Sequence, residues 1–140
     1  MSFEPPCYLI SLRAFVDGYA GTCERSIHSA GDVFEFYSRL FSDGRLDREA
    51  KRMACAVLAY FVVPRDLLPE SELGPYGLID DLFVASHGYR LLRRVAPADA
   101  IAEAWRGEQS IDRVMSMIHG ETRSALGRRA RQALRMSGLA

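Results

Sequence analysis

The sequence predicts an all-α protein, a single compact domain of six or seven helices around a central proline-turned helical hairpin. Apolar residues recur at i, i+3 and i+4 along almost the whole chain, which is the spacing of helices packed on a core. No stretch alternates apolar and polar residues between turn residues, so strands are not expected. The chain has 140 residues, 49% of them hydrophobic, which is enough for one core, and no repeat or linker divides residues 1–140.

The part of the chain before the hairpin predicts two helices. One covers residues 7–19, and residues 22–29 either extend it or form a short separate turn. The second covers residues 31–42 and carries a continuous apolar stripe. It is expected to stop at Asp43-Gly44, because glycine readily takes the left-handed conformation found at helix C-termini.

The hairpin is predicted over residues 47–95. Its first helix is opened by Asp47 and ends near Val63, because Pro64 removes a backbone donor and clashes with the preceding turn. The second helix covers residues 77–95. The apolar run 53–63 falls well short of the roughly 20 residues of a membrane-spanning helix, so it predicts a buried core helix, with Cys55 as a small core residue.

Three shorter helices are predicted after the hairpin. The first carries Trp105, which we expect to anchor the C-terminal helices to the hairpin, and ends at Gly107. Ser110 then caps a helix that runs through Ile118. The last is a basic amphipathic helix over about residues 121–136.

The turn of the hairpin has a distinctive order of residues. Pro64-Arg65-Asp66-Leu67-Leu68-Pro69 is followed by an acidic, glycine-containing loop and then by Gly77-Leu78-Ile79-Asp80-Asp81. Together with Tyr60, this order resembles the YkvA family of bacterial proteins over residues 50–95. That family is catalogued as a domain of unknown function, and it usually has aspartate where this chain has Glu70. The resemblance implies a helical hairpin and supplies no agreed activity, substrate or cofactor.

The acids of this turn allow two interpretations. Four carboxylates that converge could bind Mg²⁺ or Ca²⁺ and activate a water, as in a metal-dependent hydrolase. We favour a structural brace, in which the aspartates cap helix ends and pair with arginines. The four acids are Asp66, Glu70, Asp80 and Asp81.

The C-terminal segment 122–140 is basic and contains no acid. A basic amphipathic helix can contact nucleic acid or lie on an anionic membrane. The interpretation we favour is a helix docked on the core, whose arginines pair with the acid-rich first fifty residues. The candidate anion-binding residues are Arg123, Arg128, Arg129, Arg131 and Arg135.

Composition narrows the function without naming it. Basic and acidic residues are equal at 18 each, and no nucleophile, P-loop or dinucleotide motif is present, so an enzyme is not favoured. His28, His87 and His119 lack the spacing of zinc ligands. Three cysteines without a CxxC pair, and an N-terminus without signal-peptide features, predict a cytoplasmic protein, peripheral at the membrane if the C-terminal helix binds lipid. We therefore predict a small soluble interaction module with a protein partner or a homo-oligomeric state, as a subunit of a larger bacterial assembly.

Overall fold

The structure of the protein, a computed structural model, describes residues 5–62 and 74–139. Within these residues the chain forms 8 α-helices and one 3-10 helix, and no described residue belongs to a β-strand. The all-α prediction is confirmed. In chain order the helices are α1 (Pro5–Val16), α2 (Glu24–His28), α3 (Ala30–Phe41), α4 (Arg48–Val62), the 3-10 helix Gly74–Leu78, α5 (Ile79–Leu92), α6 (Ala98–Ala104), α7 (Ile111–Leu126) and α8 (Arg129–Ser137).

The sequence left open whether residues 22–29 extend the first helix or form a short separate turn. Residues 22–29 do not extend the first helix, because Gly18, Gly21 and Cys23 have positive φ and separate α1 from α2. Cys23, with φ 57°, is the one non-glycine residue of the described chain in the left-handed region, directly before α2. The short separate helix is therefore the arrangement that the structure adopts.

The C-terminal helix boundaries differ from the prediction. No break occurs between Ile118 and residue 121, and α7 continues through Gly120 to Leu126. Ile118, Thr122 and Leu126 are all buried, at i, i+4 and i+8, so packing on the core keeps this segment helical. The chain breaks instead at Gly127, with φ 56°. The predicted single helix over residues 121–136 is thus wrong, and its residues are shared between α7 and α8.

The centre of the core is α5. Among its residues only His87, Arg90 and Leu91 are not buried. It packs against α4, as the predicted hairpin requires, and most extensively against α7. The predicted proline turn between the two hairpin helices, with Pro64 and Pro69, lies outside the described residues.

Aromatic side chains connect α3 to both helices of the hairpin. The Phe34 ring packs edge-on against Phe61 of α4, with the ring centroids 5.6 Å apart. The hydroxyl of the fully buried Tyr37 donates a hydrogen bond to the carbonyl of Ala85 in α5. A hydrogen bond inside an apolar core fixes the relative position of two helices as well as adding stability.

Trp105 makes a contact with α3 that the sequence analysis did not predict. Its half-buried ring packs edge-on against Phe36 of α3, with centroids 6.1 Å apart. The indole Nε1 donates a 2.7 Å hydrogen bond to the carbonyl of Gln109. Gly107 lies against the ring, where an added Cβ would come within 2.3 Å of it. Trp105 therefore fixes the connection between α6 and α7 on α3.

The prediction that Cys55 is a core residue is wrong. Cys55 and Ala59 lie on the exposed side of α4, whereas Met53, Val57 and Leu58 are buried. The apolar run is longer than one helix face, so part of it must point away from the core. No helix in the described part of the chain has both the length and the apolar character needed to cross a membrane.

Candidate functional site

Two adjacent carboxylates, Asp80 and Asp81, are fully buried in the first turn of α5. This is the position that the sequence predicts, and there the backbone N–H groups and the helix dipole favour negative charge. The hydroxyl of Tyr60, near the end of α4, donates a 2.9 Å hydrogen bond to Oδ2 of Asp80. Asp80 therefore connects the two helices of the hairpin, and we refer to Asp80 and Asp81 together as the acid pair.

The structure describes only two of the four acids of the predicted divalent-cation site, Asp80 and Asp81. Asp66 and Glu70 lie outside the described residues. Within residues 5–62 and 74–139, no three side chains of the types His, Cys, Asp or Glu form a group able to hold a metal ion. The hydrogen bond from Tyr60 is compatible with a brace, and both the brace and a cation site that includes Asp66 or Glu70 stay predictions.

The predicted anion-binding arginines are all exposed, at the end of α7 and along α8. Arg128, Arg131 and Arg135 follow one another at i, i+3 and i+7, which places them on one side of α8. Ala130 and Ala133, on the opposite side, are buried. We refer to the five exposed arginines together as the arginine surface, which consists of Arg123, Arg128, Arg129, Arg131 and Arg135.

The α8 helix docks on the core as predicted, with contacts to α4, α5 and α7. The predicted pairing of its arginines with the acidic N-terminal residues is wrong for the described chain. There, no ion pair reaches the arginine surface. Asp32 and Glu35 pair with Arg13 instead, at 3.1 and 3.7 Å. Local pairs between neighbouring helices neutralise these acids and leave the C-terminal charge in place.

Residues 50–86 match the DUF1232 family model. That family is described as "Protein of unknown function (DUF1232)". The matched DUF1232 segment runs from α4 into α5 and contains Tyr60 and the acid pair. The match supports a domain of unknown function at the hairpin and does not itself name YkvA.

The likeness to one other protein extends well beyond the DUF1232 segment. The chain is 27% identical over 124 residues to "Uncharacterized protein ORF9" of Methanothermobacter thermautotrophicus. The alignment covers 86% of this chain and 83% of that protein, so it includes helices on both sides of the hairpin. No solved structure matches the chain significantly.

One group of side chains that the sequence analysis did not bring together lies where α5 packs on α7. His87, directly after the DUF1232 segment, and His119 both lie beside the ring of Phe83, at centroid distances of 6.4 and 5.4 Å. The available signal was helical spacing, since Phe83, His87 and Arg90 stand at i, i+4 and i+7. Spacing within one helix does not reveal which residue of another helix packs on it.

His119 is held in its neutral form by this environment. Its side chain is 7% exposed, and burial, followed by the charges of Arg90, His87 and Arg123, lowers its pKa from 6.5 to about 4. Burial and Arg90 also lower the pKa of His87, which is less deeply buried. The imidazolium form is disfavoured because it would lose water and lie beside positive charge.

We expect this histidine to make the fold sensitive to acid. As the pH falls from 6.5 to about 4, His119 takes up a proton in the unfolded chain but not in the folded one. The free energy of unfolding should therefore fall over this interval by up to about 3 kcal/mol, since each unit of pKa shift corresponds to about 1.4 kcal/mol. Urea unfolding at several pH values measures it. His119→Gln should flatten the profile, and an equal pH dependence in this variant would contradict the assignment.

Proposed function

We propose that the protein is a helical accessory module that binds nucleic acid through the arginine surface. The single observation that carries the proposal is that five exposed arginines, none with an ion pair in the described residues, lie close together in a segment, 122–140, that contains no acid. Guanidinium groups on a folded scaffold match phosphate oxygens in both charge and geometry. The arrangement suits contact with the phosphate backbone, which needs no particular base sequence.

The packing of α8 favours nucleic acid over an anionic membrane. A helix that lies in a membrane interface inserts an apolar face of its own. In α8 that face is used by the fold, because Ala130 and Ala133 are buried against the core, and Leu139 just beyond the helix is buried too. Met136, 46% exposed, is the one large apolar side chain of α8 that is available. Peripheral membrane binding is therefore the alternative outcome of the test.

The test measures the affinity for nucleic acid of two variants of equal net charge, at salt concentrations from about 50 to 200 mM. Wild-type protein should bind short DNA or RNA, with an affinity that falls steeply as salt is raised. Replacing Arg128, which precedes α8, and the three arginines within α8 with glutamine should weaken binding at least about tenfold and reduce the salt slope on duplex DNA by about 3–4. Fluorescence anisotropy measures both quantities. The four replacements are Arg128→Gln, Arg129→Gln, Arg131→Gln and Arg135→Gln.

The control removes four exposed arginines elsewhere that also have no ion pair in the described chain. It should bind nearly as well as wild type, because the lost charges lie off the arginine surface. Equal losses in the two variants, or binding to anionic vesicles without binding to nucleic acid, would contradict the proposal. The control replaces Arg48, Arg52, Arg106 and Arg113 with glutamine.

Other functions predicted for the chain have less support. A metal-dependent hydrolase would use an acid pair that is fully buried and, through Asp80, hydrogen-bonded to Tyr60.

A protein partner or a homo-oligomer is supported by an apolar groove of about 480 Å³ between α3 and α4, where Phe41 is 43% exposed. Sedimentation of the purified chain tests self-association. The order of the hairpin motif supports the narrower YkvA name.

A further inference from the structure

The junction of α5 and α7 carries a second group of basic side chains. On α5, His87 and Arg90 lie on one side of the helix, and on α7, His119 and Arg123 stand at i and i+4. Both imidazoles lie beside the Phe83 ring, which brings the two helices' basic residues together. We refer to His87, Arg90, His119 and Arg123 as the histidine–arginine cluster.

The charged groups that lower the pKa values of the two histidines are all basic. His119 is influenced by Arg90 and His87 from α5 and by Arg123 from its own helix. His87 is influenced by Arg90 and by a hydrogen bond to the backbone of Leu139, after α8. Within the described residues, neither arginine of the cluster has an ion pair with a carboxylate.

A pocket lies next to the cluster and extends its basic character. It has a volume of about 380 Å³ and is lined by Arg90, Arg93 and Arg94. Arg93 is partly neutralised by Asp112, with Nη1 and Oδ1 3.5 Å apart. Arg90 therefore belongs both to the pocket and to the cluster, and it connects the two. Like charges at such proximity repel one another, and a bound anion would relieve that repulsion.

We propose that the histidine–arginine cluster and the adjacent pocket bind a tetrahedral oxyanion, a phosphate or sulfate group, and bind it more tightly as the histidines become protonated. Guanidinium groups donate paired hydrogen bonds to such oxyanions, and an imidazolium adds a further charged donor. The inference deepens the proposed function and rests on it in part, because Arg123 belongs to both surfaces. The shared chemistry is the oxyanion, supplied either by a nucleic-acid phosphate or by a free ion.

The pH dependence follows from linkage. At neutral pH both imidazoles are uncharged, since their pKa values lie below the ordinary one. A bound dianion offsets the charges of Arg90 and Arg123 and favours the imidazolium form, which raises the pKa of His119. By reciprocity, protonated His119 raises the affinity for the anion, so binding should strengthen as the pH falls from neutral.

The experiment titrates the full chain with sodium sulfate at constant ionic strength, followed by NMR signals of the histidine rings from about pH 4 to pH 8. Sulfate is the probe because it remains a dianion over this range. We expect saturable shifts of the His119 and His87 signals. Saturating sulfate should raise the pKa of His119 by about one unit, which corresponds to about tenfold tighter binding to the protonated form.

Three variants separate the site from general charge effects. Arg90→Gln with Arg123→Gln should abolish the saturable shift, whereas Arg48→Gln with Arg52→Gln on α4 should preserve it. His119→Gln should still bind sulfate at neutral pH and lose most of the pH dependence. Chloride as effective as sulfate, or unchanged binding in the Arg90 and Arg123 variant, would overturn the inference.

The two proposals fail in different ways. Sulfate binding without any binding of oligonucleotides would leave the oxyanion site in place and remove the nucleic-acid function. Oligonucleotide binding that depends on the α8 arginines, with no response to sulfate, would support the nucleic-acid function and remove the oxyanion site. The tests are independent because the variant that removes four α8 arginines leaves Arg90 and Arg123 intact.

Discussion

Replacing Asp80 with alanine should lower the free energy of unfolding by about 2–4 kcal/mol. The variant loses a hydrogen bond between a buried carboxylate and the Tyr60 hydroxyl, a class of bond that contributes about 1.5–3 kcal/mol. It also loses a negative charge in the first turn of α5, which contributes about 0.3–1 kcal/mol. Urea unfolding measures the change, and Asp17→Ala, at an exposed acid, is the control that should have little effect.

Two companion variants distinguish the brace from a metal site. Tyr60→Phe removes only the donor and should cost about 1–2 kcal/mol, and a double-mutant cycle with Asp80→Ala isolates the coupling between the two side chains. Asp80→Asn with Asp81→Asn should also destabilise a brace. In a metal site, two carboxylates without their metal repel each other, so this double variant would raise stability and abolish an increase in Tm caused by Mg²⁺ or Ca²⁺.

Gly88→Ala should destabilise the protein by about 1–3 kcal/mol relative to Gly120→Ala. Both glycines lie inside helices, so both substitutions gain the same helix propensity, about 1 kcal/mol. A Cβ at Gly88 would lie 3.0 Å from Cγ2 of Val57 and 3.3 Å from the hydroxyl of Tyr37. A Cβ at Gly120 meets nothing within 4 Å. The difference in their unfolding free energies therefore measures overpacking alone.

The neighbours of Gly88 have little room to move. Val57 is fully buried in α4, and the hydroxyl of Tyr37 is held by its hydrogen bond to Ala85. Thermal or urea unfolding of the two variants provides the comparison. Equal stabilisation by both substitutions would show that α3, α4 and α5 do not approach one another as closely as the structure has them.

The two candidate sites differ in how well the sequence predicted them. The acid pair was placed in the first turn of α5 because the motif and the helix pattern are both local. The charges of the arginine surface were also visible in the sequence, but their lack of acidic partners was not. The acids of α3 could pair with any exposed arginine. The packing of α1 on α3 selects Arg13 for Asp32, and Glu35 pairs both with Arg13 and with Arg39 of its own helix.

Helix boundaries were also predicted only in part from the sequence. Gly120 and Gly127 are equally good helix stops in the sequence, and the chain stops only at Gly127. The buried stripe of Ile118, Thr122 and Leu126 on α7 favours the helical conformation across Gly120, because its packing energy exceeds the propensity cost of one glycine, about 1 kcal/mol.

The sequence by itself determined the fold class, the two helices of the hairpin, the position of the acid pair and the basic character of the C-terminus. These features depend on residues close together in the chain, whose spacing and backbone preferences act locally. Only the tertiary structure decided that Cys55 faces outward, that Trp105 packs on α3, and that His87 and His119 share the Phe83 ring. Each of these depends on which helix faces meet, and helical periodicity defines a face without specifying its partner.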